Sequence, residues 1–66
     1  MGYRLKEIRE EKKMTQEELE AKSGISRQTI SAIENNRAEN VMVGTLLALA
    51  NALGTTLDSL FFQKAV

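Results

Sequence analysis

Arg27 and Gln28 are the two side chains in this 66-residue chain with the most specific hydrogen-bonding chemistry. An arginine can donate two parallel bonds to guanine O6 and N7. A glutamine amide can pair with adenine N6 and N7. Around them stand Ser26, Thr29 and Ser31, short hydroxyls suited to phosphates or base edges. Little else could do chemistry. The sequence has no cysteine and no histidine. That removes the thiolate nucleophile, the imidazole base and the usual zinc site. The hydroxyls that remain have no base or oxyanion device beside them. Glu7, Glu10, Glu11, Glu17 and Glu18 resemble a carboxylate cluster. They read as a solvated face with helix-pair partners such as Glu18 and Lys22. No enzyme activity, metal, cofactor or small-molecule substrate is expected.

Helical spacing runs through almost the whole chain, and no stretch alternates like a strand. The first helix is expected at about 4–13, with Leu5 and Ile8 on one face. Thr15 and Glu18 form a capping box for a second helix at 16–22. Gly24 suits the left-handed residue that ends it. Ser26 is a good N-cap for a third helix at 27–35, whose apolar stripe is Ile30 and Ile33. Asn35 and Asn36 should close it. A fourth helix at 43–53 carries Val43, Leu46, Leu47, Leu49, Ala50 and Leu53, apolar on most sides, and so belongs at the centre of the core. Gly54 stops it. Thr56 can cap a short fifth helix at 57–62, with Leu57, Leu60 and Phe61 turned inward. The expected fold is one compact all-α domain of five helices over 1–66. Its segment 16–35 holds two short helices, a glycine turn, and a second helix with one apolar and one polar face. That is the outline of a helix-turn-helix, whose second helix enters the DNA major groove.

Composition sets limits on this reading. Nine basic and nine acidic side chains give a net charge of zero. Eight of the basic and seven of the acidic residues fall within 1–37, so the half that carries Arg27 is barely positive. A nucleic-acid surface must then arise from placement, not from total charge. The longest apolar run, Leu46–Ala50, is far short of the roughly 20 residues a membrane span needs. No signal peptide is evident at the N-terminus. The lack of cysteine suits a reducing cytoplasm.

The residues also resemble a known family. Arg4–Leu19, RLKEIREEKKMTQEEL, is similar to the opening of the phage Cro/repressor-type (XRE) helix-turn-helix family. Ser23–Asn35, SGISRQTISAIEN, is similar to its recognition-helix signature. Leu46-Leu47, Ala52–Gly54 and Leu57–Phe61 match its last two helices. The resemblance spans about 4–61 and implies the lambda repressor-like fold. By that resemblance Gln16 falls where the family contacts a phosphate and braces the recognition helix. Arg27 and Gln28 fall at base-reading positions, and Ser26 and Thr29 at phosphate- or base-contacting ones. Asn35, Asn36 and Arg37 fall in the loop that touches the DNA backbone. Arg9 and Glu34 fall where the family ties helix 1 to helix 3 with an ion pair. Four positions depart from the pattern. Glu20 stands where alanine is usual, and Asn36 where glycine is. Val41-Met42 leave helix 4 without its usual cap, and Gly44 weakens its first turn. Glu20 is therefore expected to be a stability defect, relieved by Glu20→Ala.

The implied function is a sequence-specific, double-stranded DNA-binding transcriptional regulator, with base contacts from Arg27, Gln28 and Thr29. Backbone contacts would come from Gln16, Ser26, Ser31, Asn35, Asn36 and Arg37. Without an effector domain, regulation would come from concentration, a partner or promoter occupancy. Two other classes stay open: a protein-interaction module on the same fold, and an autoregulating antitoxin with a toxin partner. One such domain reads few base pairs, so two half-sites and a two-fold dimer are expected. After the inward positions are filled, Leu49, Leu57 or Leu60, and one of Phe61 and Phe62 are the large apolar groups left to form that interface.

Overall fold

A computed structural model of the chain describes residues 3–38 and 41–61, the last of these by its backbone alone. Five helices follow in order: α1 (Leu5–Glu11), α2 (Gln16–Ser23), α3 (Arg27–Glu34), α4 (Val43–Leu53) and α5 (Leu57–Phe61). Among the described residues there is no strand.

Local chemistry fixes most of the boundaries. The Thr15 hydroxyl accepts from the Glu18 N–H at 3.0 Å, and the Glu18 carboxylate accepts from the Thr15 N–H at 2.8 Å. This reciprocal box satisfies two amides that have no partner within the helix. Ser26 caps α3 by accepting from the Thr29 N–H at 3.2 Å, and Thr56 does the same for Ser59 at 3.3 Å. Met42 precedes α4 with no side-chain cap. The C-terminal ends are equally defined. Gly24 ends α2 in the left-handed conformation at φ +77°, its N–H on the Glu20 carbonyl. Past α3, Asn36 N–H donates to the Ile33 carbonyl and Arg37 N–H to that of Ala32, at 3.2 and 2.8 Å. These are the paired bonds of a Schellman motif, with Asn36 left-handed at φ +58°.

The first helix ends earlier than its sequence suggests. Lys13 has φ +55°, and the N–H groups of Lys13 and Met14 return to the carbonyls of Glu10 and Arg9. The same motif therefore closes α1 at Glu11, though lysine gives no hint of it. Elsewhere α2 gains Ser23 and α3 stops at Glu34, each a shift of one residue, and α5 is described through Phe61.

The core is continuous: Leu5, Ile8, Leu19, Ile30, Ile33, Leu46, Leu49, Ala50, Leu53 and Leu60. α4 packs on α2 and α5, and α3 packs on α2 and α1. Arg4 N–H donates to the Leu60 carbonyl at 3.0 Å, so the start of the chain is fastened to α5. This packing corrects the expected dimer surface. Leu49 and Leu60 are both 0% exposed within one protomer, as members of its core, and neither is available to a second copy. Leu57 is half-buried against the core. The Phe61 side chain and Phe62 lie outside the described residues. The large apolar side chains exposed among the described residues are instead Met42, Val43 and Leu47, at the start of α4. Leu47, read as part of the apolar helix, thus faces outward.

The left-handed positions give a direct test. Space around Gly54 (φ +67°) is open, so a new Cβ there meets no neighbour, and the cost of Gly54→Ala is that of the backbone alone. It should destabilise the domain by about 1 kcal/mol, while Lys13→Gly, relieving strain of the same kind, should stabilise it by a few tenths to about 1 kcal/mol. Thermal melts of the two variants measure both signs.

Candidate nucleic-acid interface

The two faces of α3 divide its work. Ile30 and Ile33 are fully buried and hold the helix against the core. Arg27, Gln28 and Thr29 are exposed on the other side, with Ser31 and Ala32 partly so. The Schellman turn at Asn36 reverses the chain, and the Arg37 guanidinium comes back over α3, with Nη2 donating to Ser31 Oγ at 3.4 Å. Asn35 Nδ2 donates to the Ser31 carbonyl at 2.9 Å and to Oγ at 3.2 Å. The result is an open concave surface of about 550 Å³ lined by Arg27, Gln28, Ser31, Ala32 and Arg37. Two guanidinium groups, an amide, a hydroxyl and a methyl are thus presented together.

Thr29 and Ser26 stand apart from that lining. Ser26 Oγ donates to Thr29 Oγ1 at 3.0 Å, so the two hydroxyls form a pair at the start of the helix. Ala32 is the lining residue that the sequence did not single out. Its spacing from Gln28, one helical turn, was the available signal.

Behind this surface lies a chain of polar contacts that spans three helices. Arg9 on α1 meets Glu34 on α3 in a bidentate pair: Nε donates to Oε2 at 2.7 Å and Nη2 to Oε1 at 3.1 Å. The third guanidinium nitrogen donates to the Met14 carbonyl at 2.7 Å. The Glu34 side chain is only 2% exposed and that of Arg9 11%. The hydrogen bond to Glu34 raises the Arg9 pKa above its ordinary value, against the lowering effect of burial. Gln16, the first residue of α2, donates its amide to Glu34 Oε1 at 3.0 Å. Its carbonyl oxygen accepts from Arg27 Nε at 3.4 Å. The amide therefore links the buried ion pair to the exposed arginine. No buried side-chain nitrogen or oxygen among the described residues lacks a partner.

Glu20 differs from its expected role. Its Oε2 accepts from the Arg27 backbone N–H at 3.2 Å. Crossing from α2, it satisfies an otherwise unpaired amide and places negative charge at the positive end of the α3 dipole. It is a partner of α3 and not an intruder at the contact of the two helices. No three acidic side chains come together as a metal site among the described residues, nor is any helix there long and apolar enough to cross a membrane.

Two short helices joined through a left-handed glycine, the second anchored by one face and open on the other, define a helix-turn-helix domain. The chain belongs to the helix-turn-helix family, whose model matches residues 5–60. It is similar to an uncharacterised HTH-type transcriptional regulator of Sinorhizobium fredii, with 46% identity over 56 residues, covering 85% of this chain and 71% of that protein. It is also similar to the immunity repressor protein of Bacillus phage phi105, with 40% identity over all 66 residues. The chain spans 45% of that repressor's length.

Both charged contacts lead to measurable expectations. Arg9→Ala leaves a buried carboxylate with only Gln16 beside it and should cost about 3 kcal/mol. Glu20→Ala gains a little helix propensity but loses a charged cap, so it should lower the melting temperature by a few degrees, roughly 0.5–1 kcal/mol. A rise instead would show that the 3.2 Å contact to Arg27 contributes nothing.

Proposed function

We propose that the protein is a sequence-specific DNA-binding transcriptional regulator. The observation that carries this is the concave face of α3, where Arg27, Gln28, Ser31, Ala32 and Arg37 open to solvent together. A helix lying in the major groove presents such a face to base edges while the helix before it crosses the backbone. Arg27 matches guanine, and Gln28 matches adenine. The Ala32 methyl suits contact with the methyl of thymine. Thr29, beside Ser26, reaches the edge of the same groove. Gln16, Ser26, Ser31, Asn35, Asn36 and Arg37 ring this face and serve the phosphates. Gln16 gives one amide N–H to Glu34 and keeps the other for a phosphate oxygen. The two relatives named as a transcriptional regulator and an immunity repressor support the same reading.

The regulator works as a homodimer on an inverted repeat, in the bacterial cytoplasm where its duplex lies. One α3 reads only a few base pairs, and specific affinity at cellular salt takes two half-sites about 34 Å apart. Met42 at 74%, Val43 at 58% and Leu47 at 44% exposure lie at the start of α4 and are not among the residues lining the α3 surface. They stand where a second copy can meet them.

Selection of bound sequences from a random duplex pool tests the proposal, with enrichment of one inverted repeat expected. Arg27→Ala and Gln28→Ala should each flatten preference at particular positions by about 1–3 kcal/mol per base pair while the domain stays folded. Arg37→Ala should weaken all sequences alike and make the slope of log K against log salt shallower by about 0.9. A pool that yields no enriched sequence overturns the proposal.

Sedimentation tests the dimer. The wild-type protein should sediment as a dimer at micromolar concentration, and Leu47→Glu should give a folded monomer with weakened operator binding. A wild-type monomer that binds its operator without cooperativity contradicts it.

A further inference from the structure

We propose that Ser31 reads a base edge as a fixed hydrogen-bond donor, its polarity set by Asn35 and Arg37. The inference rests on the DNA-binding reading above and moves Ser31 from the phosphate contacts named there to the base-reading set. A serine hydroxyl has one proton to donate and two lone pairs that accept. Both lone pairs of Ser31 are taken. Asn35 Nδ2 donates to Oγ at 3.2 Å, and Arg37 Nη2 donates to it at 3.4 Å. Neither contact can run the other way. A guanidinium only donates. The Asn35 amide is held nitrogen-first, because the same Nδ2 also meets the Ser31 carbonyl at 2.9 Å, and a carbonyl only accepts. The bonding capacity left to Ser31 is its O–H, and among the described residues no acceptor receives it.

Position decides what that proton meets. Ser31 lies one turn beyond Arg27 and Gln28 on the same side of α3, and with them, Ala32 and Arg37 it lines the concave surface. It is half-buried, while both arginines are exposed. Their side chains extend much further from the backbone than a serine does, so a phosphate meets the guanidinium groups first. The short hydroxyl is reached by the base edges that a helix lying in the groove brings against it. An ordinary serine, free to donate or accept, contacts any base and distinguishes none. A donor-only Ser31 pairs with guanine O6 or N7, adenine N7 or thymine O4, and opposes the N4 amino group of cytosine. Two donors that face each other are both left unpaired, which disfavours cytosine by about fivefold or more. Asn35, the C-terminal cap of α3, then acts on specificity through Ser31 and is a positioning residue.

The test takes a duplex selected from a random pool by the wild-type protein and changes each of its positions in turn to the other bases. Affinities are compared for wild type, Ser31→Ala, Asn35→Ala and the double variant. Wild type should disfavour cytosine at one contacted position by about fivefold or more, and Ser31→Ala should reduce that to less than about twofold while the other positions keep their preferences. Asn35→Ala frees a lone pair, so the hydroxyl can accept from cytosine N4, and the same penalty should again fall below about twofold. With Ser31 already alanine, Asn35→Ala should change nothing further at that position. Ratios between bases at one position cancel any uniform loss from a phosphate contact or a looser helix end, and far-ultraviolet circular dichroism reports that the variants stay folded. A Ser31→Ala variant that keeps every preference, or that weakens all duplexes alike as loss of a phosphate contact would, overturns the base-reading role. An Asn35→Ala variant that keeps the cytosine penalty, or that still shifts preference there when Ser31 is alanine, overturns the part given to Asn35. A wild-type protein that selects no duplex overturns the DNA-binding reading itself, and this inference with it.

Discussion

The ion pair of Arg9 and Glu34 is the joint on which the rest of the domain is hung. Helices of seven or eight residues are too short to persist alone in water. Each needs its angle fixed by neighbours. Apolar packing is non-directional and does this only loosely. A bidentate pair of planar groups adds direction. With Arg9 also bound to the Met14 carbonyl and Glu34 also bound to Gln16, α1, the first turn, α2 and α3 meet at one point. A buried pair of this kind need not raise stability above that of an apolar substitute. Its value here is geometric, since it orients the helix that carries Arg27.

That joint makes the recognition surface continuous with the interior. Arg27 is exposed, yet its side chain rests on Gln16, and Gln16 rests on the buried carboxylate. A long side chain that is already steered loses less freedom on meeting its target than one that is not. The turn at the far end of α3 plays the matching part for Arg37. Asn36 adopts the left-handed conformation at some cost, and the chain folds back over Ser31. The two arginines of the concave face are therefore placed by opposite ends of one helix.

What the sequence disclosed depended on how local each feature is. Thr15 with Glu18, Ser26 with Thr29, and the glycines at 24 and 54 act within four residues of themselves, and their chemistry could be read in order. The stripe of Ile30 and Ile33 told which side of α3 is inward and hence which side is free. Contacts between helices carry no such mark. Glu20 looked out of place because its partner, the Arg27 amide, lies seven residues away across a turn. The end of α1 was hidden because lysine rarely adopts the conformation that Lys13 takes. Leu49 and Leu60 were assigned to the surface because counting apolar residues on α4 and α5 does not reveal how completely the rest of the core covers them. The pairing of Arg9 with Glu34 was suggested by family resemblance and not by spacing, since 25 residues separate them.

The split between the two faces of α3 bears on how such a protein diverges. Gln28, Ser31 and Ala32 touch the open side, while Ile30, Ile33 and Glu34 hold the helix in place. Substitutions at the first three can accumulate with little penalty to folding, so target preference is free to drift in descendants of this chain. Arg27 is the exception. Two side chains of α2 are fitted to its guanidinium, and a lineage that replaces it inherits Gln16 and Glu17 arranged around a group that is gone. Change at that position is thus coupled to change on the neighbouring helix, and retargeting there proceeds by paired substitutions instead of single ones.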